Sequence, residues 1–176
     1  MGSATYLHDL VVDLLTAAES AIDPARTGNA SLPPRRYVSW GEPAWDVCVG
    51  DVDTGSSGQL VAWWDEVTTD VSATGRMCAI RHVARLCVEV VRCVPSLEAD
   101  GSPHPPAVYE AAAEVLSRDL WSLVTGLDEF WTSLGCESIT VDEITPRGPD
   151  GGAAGARVCA RVALNDRGPD PSIFGS

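Results

Sequence analysis

A chain of 176 residues with 45% hydrophobic side chains is long enough to bury one substantial core and has the composition of a folded domain. Its 25 acidic and 12 basic residues give a formal charge of −13, which argues against nucleic-acid binding through phosphate contacts and against anionic membranes. All 12 basic residues are arginine, so neither a Schiff-base lysine nor a phosphate-loop lysine is available.

In chain order, Tyr6 to Ile22 reads as a helix, with Leu7, Leu10, Val11, Leu14, Ala18 and Ile22 on one face. Pro24 lies just past its expected end, and Asp23 to Pro34 reads as a surface loop. Arg36 to Trp40 fits a short strand, Gly41 to Pro43 a turn, and Trp45 to Val49 a second extended piece. Asp51 to Gly58 is polar and glycine-rich, as a loop should be. Gln59 to Thr69 is a strand with Leu60, Ala62 and Trp64 on one face and Val61, Trp63 and Asp65 on the other. Both faces are partly apolar, so one meets a helix and the other is free for a partner chain. Asp70 to Arg76 reads as a connection.

Ile80 to Val94 is the strongest strand. Ala84, Leu86, Val88, Val90 and Val94 line one face, opposite Arg85, Cys87, Glu89, Val91 and Cys93. Arg92 interrupts the apolar face where the strand is expected to leave the core. The run exceeds usual strand length, which predicts a bend, a bulge or an arm projecting beyond the sheet. After a proline-rich loop, Val108 to Leu134 reads as one long amphipathic helix, opened by Pro105 and Pro106 and closed by Gly135. Its stripe is Tyr109, Ala112, Leu116, Leu120, Leu123, Leu127, Phe130 and Leu134. Asp119 lies beside that stripe and calls for a paired or water-reaching carboxylate; Trp121 lies on the far side.

Glu137 to Ile144 is the next strand, with Ile139 and Val141 facing away from Asp142 and Ile144. Pro146 to Gly155 reads as a flexible tip, and Arg157 to Leu164 as the last strand, with Val158, Ala160, Val162 and Leu164 alternating against Arg157, Cys159, Arg161 and Ala163. The sum is a single α+β domain over residues 1–165, a mostly antiparallel sheet of about five strands with two helices on one face, followed by a loose tail at 166–176.

Little in the chain points to chemistry. Cys48, Cys78, Cys87, Cys93, Cys136 and Cys159 have no zinc-ligand spacing. The first 22 residues lack the basic region and apolar core of a signal peptide, so reduced, buried thiols in a cytosolic setting are expected. No run approaches the roughly 18 apolar residues of a membrane span. His8, His82 and His104 have no nucleophile motif beside them. Asp51 and Asp53 sit in a glycine-bearing loop that fails the calcium-loop pattern. Asp65 and Glu66 are adjacent and should face opposite sides of a strand. No catalytic, cofactor-binding or metal-ligating residue is expected, and the chain is not read as an enzyme. The six tryptophans exceed what one core of this size uses, and the surplus points to interfaces.

The opening YLHDLVVDLLTAAESAI, the segment RRYVSWGEPAWDVC and the strand LCVEVVRCVP, in an order of helix, strands, long strand, long helix and two strands, resemble the tail terminator (tail-to-head joining) proteins of long-tailed bacteriophages, those of actinobacterial phages in particular. The resemblance spans residues 5 to 165. It implies a virion protein at the tail–neck region, assembled in the host cytoplasm. Its partners would be itself in a hexameric ring, the tail tube protein, a neck or head-completion protein, and DNA passing through the lumen without specific binding. It implies no membrane partner and no cofactor. An acidic lumen wall would repel phosphates, and Asp51 and Asp53 are its candidates by charge. A ring needs two complementary faces per subunit. Interface candidates are Trp63, Arg85, Glu89, Trp121, Arg157 and Arg161, with loops at Asp51 to Gly58, Asp70 to Gly75 and Gly148 to Gly155 reaching above and below. Other readings are a different tail or neck component (a head-completion or tube protein), a small cytosolic enzyme with an acidic site, and a monomeric binding protein.

Overall fold

The structure is a computed structural model describing residues 5–28, 31–45, 48, 58–74, 77–98, 100–134, 139–150 and 152–164, with backbone alone at 5, 70–74, 77–81 and 150. Its elements are α1 (Thr5–Ala21), α2 (Pro24–Thr27), β1 (Arg35–Trp40), β2 (Gly58–Thr74), β3 (Met77–Cys93), α3 (Pro106–Gly126), α4 (Asp128–Ser133), β4 (Ile139–Asp150) and β5 (Ala153–Leu164). The described strands form one sheet in the order β1-β2-β3-β5-β4. β1 runs parallel to β2 and every other pair is antiparallel. The expected α+β fold, a mostly antiparallel five-stranded sheet with helices on one face, is what the chain adopts.

The core lies between that sheet and α1 and α3. The α1 residues Leu10, Val11, Leu14, Ala18 and Ile22 meet Leu60 and Ala62 of β2, Ala84, Leu86, Val88 and Val90 of β3, and Val158, Ala160 and Val162 of β5. These are the residues the two periodicities select. Each contributes about 1.5–3 kcal/mol for a large aliphatic side chain removed from water.

Three expected loops are structured instead. Asp23 to Pro34 contains the single turn α2, started by the Asp23 carboxylate accepting from the Ala25 N–H at 2.7 Å and ended by Gly28 in the left-handed region at φ 70°. Asp70–Thr74 continues β2 and pairs with Met77–Arg81. Most of Gly148 to Gly155 belongs to β4 and β5, which close through the pair Asp150–Ala153. In each case backbone pairing or capping outweighed a polar, glycine-bearing composition. Of the expected bend, bulge or arm, the described residues show the last: β1 accompanies β2 only as far as Trp64, and β5 joins β3 only from His82, so among the described residues the outer hairpin pairs with itself.

The expected single helix is kinked. Leu127, at φ −85° and ψ −7°, separates α3 from α4, although Leu127 and Trp131 still donate to Leu123 and Leu127 four residues back. The kink follows Gly126, which packs directly on α1: a Cβ there would lie 2.4 Å from the Ala21 Cβ. Past the kink Trp131 is buried and stacks edge-on with Phe130. In the early half of the expected stripe Ala112, Leu116 and Leu120 are half-buried and Tyr109 is exposed; Tyr109 fastens the preceding loop, donating to the Ser96 carbonyl at 3.0 Å and accepting from the His104 N–H at 3.2 Å. Gly135 lies outside the described residues.

Arg92 does not leave the core. It is 3% exposed, on the helix-facing side of β3, with Asp119 of α3 at 0%. Its Nε and Nη2 donate to the two Asp119 oxygens at 2.8 and 3.3 Å, and its Nη1 to the Ser31 carbonyl at 2.8 Å. The expected partner of Asp119 is thus found, and it is the residue that broke the strand pattern.

Candidate functional site

The face of the sheet opposite the helices carries charged and aromatic residues in two groups. The first lies under the segment that leaves β1. Because β1 and β2 are parallel, the connection must travel back along the sheet, and its described part, Gly41–Trp45 and Cys48, does so over this back face. Trp45 donates its indole N–H to Glu89 at 3.0 Å, and Gln59 donates to the Ala44 carbonyl at 3.1 Å. Glu42 accepts from Arg157 at 2.5 Å and from Arg147 at 3.0 Å. Gly155 makes the floor: a Cβ there would lie 3.4 Å from the Trp45 ring and 2.8 Å from the Val90 carbonyl oxygen. On the same face of the sheet, Trp63 and Val61 pack with Cys87, Cys159 and Tyr37 in a second, smaller core. The Arg157 guanidinium lies 5.0 Å from the centroid of Trp63.

Two disulfides belong to this region, Cys48–Cys93 and Cys87–Cys159. They overturn the expectation of reduced thiols for these four residues. Cys87 and Cys93 share a face of β3, as expected, yet each bonds elsewhere: Cys87 to the residue directly opposite it on β5, and Cys93 to the crossing segment. Spacing along the chain carries no information about either partner. Cys136 and the Cys78 side chain lie outside the described residues.

Three expected interface residues are buried by this arrangement. Trp63 is 1% exposed, Glu89 is 0%, and Arg157 is buried with them. The β2 face expected to be free is thus buried within the chain at Val61 and Trp63. Glu89 and Arg157 are cross-strand partners, 3.3 Å apart from Oε1 to Nη2. Burial by itself lowers the Arg157 pKa; the hydrogen bond to Glu42 and the field of Glu89 outweigh it, and the pKa is raised. The Glu42 carboxyl is held below its ordinary value, chiefly by the hydrogen bond from Arg157.

The second group surrounds Arg85 at the root of the projecting arm. Arg85 donates to Asp65 at 2.7 Å, Glu143 at 2.7 Å and Asp142 at 3.1 Å. Arg161, its cross-strand neighbour, donates to the same Asp142 oxygen at 3.0 Å and lies 4.0 Å from Glu66. Two like charges face to face destabilise a sheet; here Asp142 stands between them. The backbone explains how. β2 is irregular between Trp64 and Glu66, and β4 between Val141 and Glu143. The unpaired residue in each bulge is an aspartate, Asp65 or Asp142, and each reaches Arg85. The bulges correct two expectations. Asp65 and Glu66 both serve the back face rather than opposite faces, and Ile144 returns to the side of Val141. Burial lowers the Arg85 pKa, but the bonds to Glu143, Asp65 and Asp142 prevail and raise it.

Of the interface candidates, Trp121 at 70% exposure and Arg161 are on the surface, and Arg85 is half-buried within its carboxylates. Asp51 and Asp53, the lumen candidates, and the loop tips at 51–57 and 75 lie outside the described residues. Sequence reasoning missed Trp40, which is 85% exposed and stacks edge-on with Trp64 at 4.8 Å. Val67, Val141 and Ile144 are further exposed apolar residues on the strands. It also missed Glu42, Trp45, Asp142, Glu143 and Arg147. The one legible signal was the pair of adjacent acids interrupting alternation in each of two strands. Among the described residues, no group of three or more histidine, cysteine or acidic side chains is placed to hold a metal ion, and no helix is long and apolar enough to cross a membrane. No protein-family model matches the chain, and no curated protein matches its sequence.

Proposed function

We propose that the chain is a structural subunit of a long-tailed phage virion. It assembles into a hexameric ring at the head-proximal end of the tail, stops growth of the tube and joins it to the neck. The observation that carries the reading is the β2–β3 arm, which extends past the sheet and pairs, among the described residues, with itself. A two-stranded ribbon is marginal alone and is stabilised by a further strand or a packing surface, which an adjacent protein would supply.

Two further features support it. The sheet has unlike edges, the parallel strand β1 on one side and β4 on the other; unlike surfaces meeting head to tail generate rings. Trp40 and Trp121 are exposed at 85% and 70%, and large aromatics supply much of the energy of protein interfaces. A charge of −13 suits a wall past which DNA moves without adhering. Sedimentation equilibrium of the purified protein tests the assembly: a species of six subunit masses is expected, and a monomer at all concentrations would contradict it.

A further inference from the structure

We propose that the back face of the sheet binds one buried water molecule, held between the indole N–H of Trp63, the Nε–H of Arg157 and the Oε1 of Glu89, so that it joins the three central strands β2, β3 and β5.

The three side chains are neighbours by register. Glu89 on β3 stands opposite Val61 on β2 and opposite Arg157 on β5. Trp63 follows Val61 by two residues on β2, so the two share a face. The Arg157 guanidinium carbon is 5.0 Å from the Trp63 ring centroid, and its Nη2 is 3.3 Å from Glu89 Oε1. All three are buried, at 1% exposure for Trp63, 0% for Glu89 and 5% for Arg157. Part of their bonding capacity is used within the chain. Glu89 Oε2 accepts from Trp45 at 3.0 Å and from Arg157 Nη2 at 3.4 Å, and the same Nη2 donates to Glu42. Three buried atoms are left over: Trp63 Nε1, Arg157 Nε and Glu89 Oε1 have no hydrogen-bond partner among the described residues. The Nε of Arg147 is 3.9 Å from Glu89 Oε1, too far for a direct hydrogen bond.

What these atoms require defines the ligand. A buried polar group without a partner is costly, and folded interiors supply the partner from the chain or from ordered water. Here two donors and one acceptor remain. A cation would face the Arg157 guanidinium and the positive end of the indole N–H. An anion would face the Glu89 carboxylate, and both repulsions are strong away from bulk water. A neutral molecule that accepts twice and donates once meets all three needs. Close-packed interiors seldom leave room for anything larger than a water. Water offers one lone pair to each N–H and an O–H to Glu89, and buried waters make about three such bonds. One molecule thereby satisfies a donor on β2, an acceptor on β3 and a donor on β5, where no single side chain of the group could.

The test uses the full chain, isotope-labelled for nuclear magnetic resonance. The Trp63 indole proton is assigned by its disappearance in Trp63→Phe or, should that variant not fold, by its through-space contacts to the Val61 and Cys87 side chains. Water-selective spectra of the parent protein should show a cross-peak from water to that proton. Its laboratory-frame and rotating-frame effects should have opposite signs, the mark of a water that tumbles with the protein rather than of proton exchange. A crystal structure of the parent should place one water within hydrogen-bond distance of Trp63 Nε1, Arg157 Nε and Glu89 Oε1. In water relaxation dispersion, folded Trp63→Phe should lose the amplitude of one long-lived molecule. The proposal is overturned if the Trp63 proton gives no cross-peak of that sign, if a group of the chain itself bonds Trp63 Nε1, if a bromide soak gives anomalous density at the site, or if folded Trp63→Phe keeps the parent's dispersion.

Discussion

Replacing Asp119 by alanine should be among the most damaging single changes in the domain. Arg92 and Asp119 are 3% and 0% exposed and share two N–H···O bonds. The variant leaves a guanidinium in the core without the carboxylate that both neutralises it and accepts two of its N–H groups. Breaking a buried ion pair by removing one partner costs about 3–5 kcal/mol. In a domain of this size each kcal/mol moves the melting temperature by about 2–4 °C, so a fall of about 6–20 °C is expected. The double variant Arg92→Met, Asp119→Leu should recover most of the loss, because no charge is then left unpaired. The gain from apolar replacement of such pairs reaches about 1–4 kcal/mol. Urea unfolding of the oxidised proteins measures both, through a shift of the midpoint at constant slope. The reasoning is refuted if Asp119→Ala costs less than about 1 kcal/mol, or if the double variant is weaker than either single one.

Three more predictions concern other parts of the molecule. Gly126→Ala should destabilise the protein even though alanine is the better helix former by about 1 kcal/mol, because the new Cβ would lie 2.4 Å from that of Ala21; a raised melting temperature would contradict the close approach of α1 and α3. The lowered Glu42 pKa means that its tie to Arg157 is fully present above the unfolded value of about 4.5 and is lost as pH falls through the lower folded value. Glu42→Gln should therefore flatten the stability profile in that acidic window and leave its slope near neutrality alone, and parallel profiles for the two proteins would refute this. Trp40→Ser and Trp121→Ser should leave stability within about 0.5 kcal/mol while weakening self-association in sedimentation; the reverse pattern would make both residues core rather than contact.

The core was legible because periodicity reports burial directly. Leu10, Val11 and Leu14 at helical spacing, and Leu86, Val88 and Val90 in alternation, are the residues that meet. The back face was not, for three physical reasons. A crossing segment such as Gly41–Trp45 has no period, so nothing in it announced the bonds of Trp45 to Glu89 and of Glu42 to Arg157. Disulfide partners are set by tertiary geometry, so the choice of Cys48 for Cys93 leaves no trace in the spacing. A bulge shifts alternation by one residue, which turned Glu66, Glu143 and Ile144 to faces that simple counting denies them. The Arg92–Asp119 pair shows the opposite case. Each residue alone looked like a flaw in its element, and two flaws of opposite charge on facing apolar surfaces were a single, satisfied contact.

The central claim is the place of the chain in an assembled particle, and immunogold labelling of intact virions in negative stain tests it most directly. The proposed role predicts gold at the junction of tail and head, one cluster per particle. Gold along the tube, on the capsid shell or at the distal tip, or none on the particles, would contradict it.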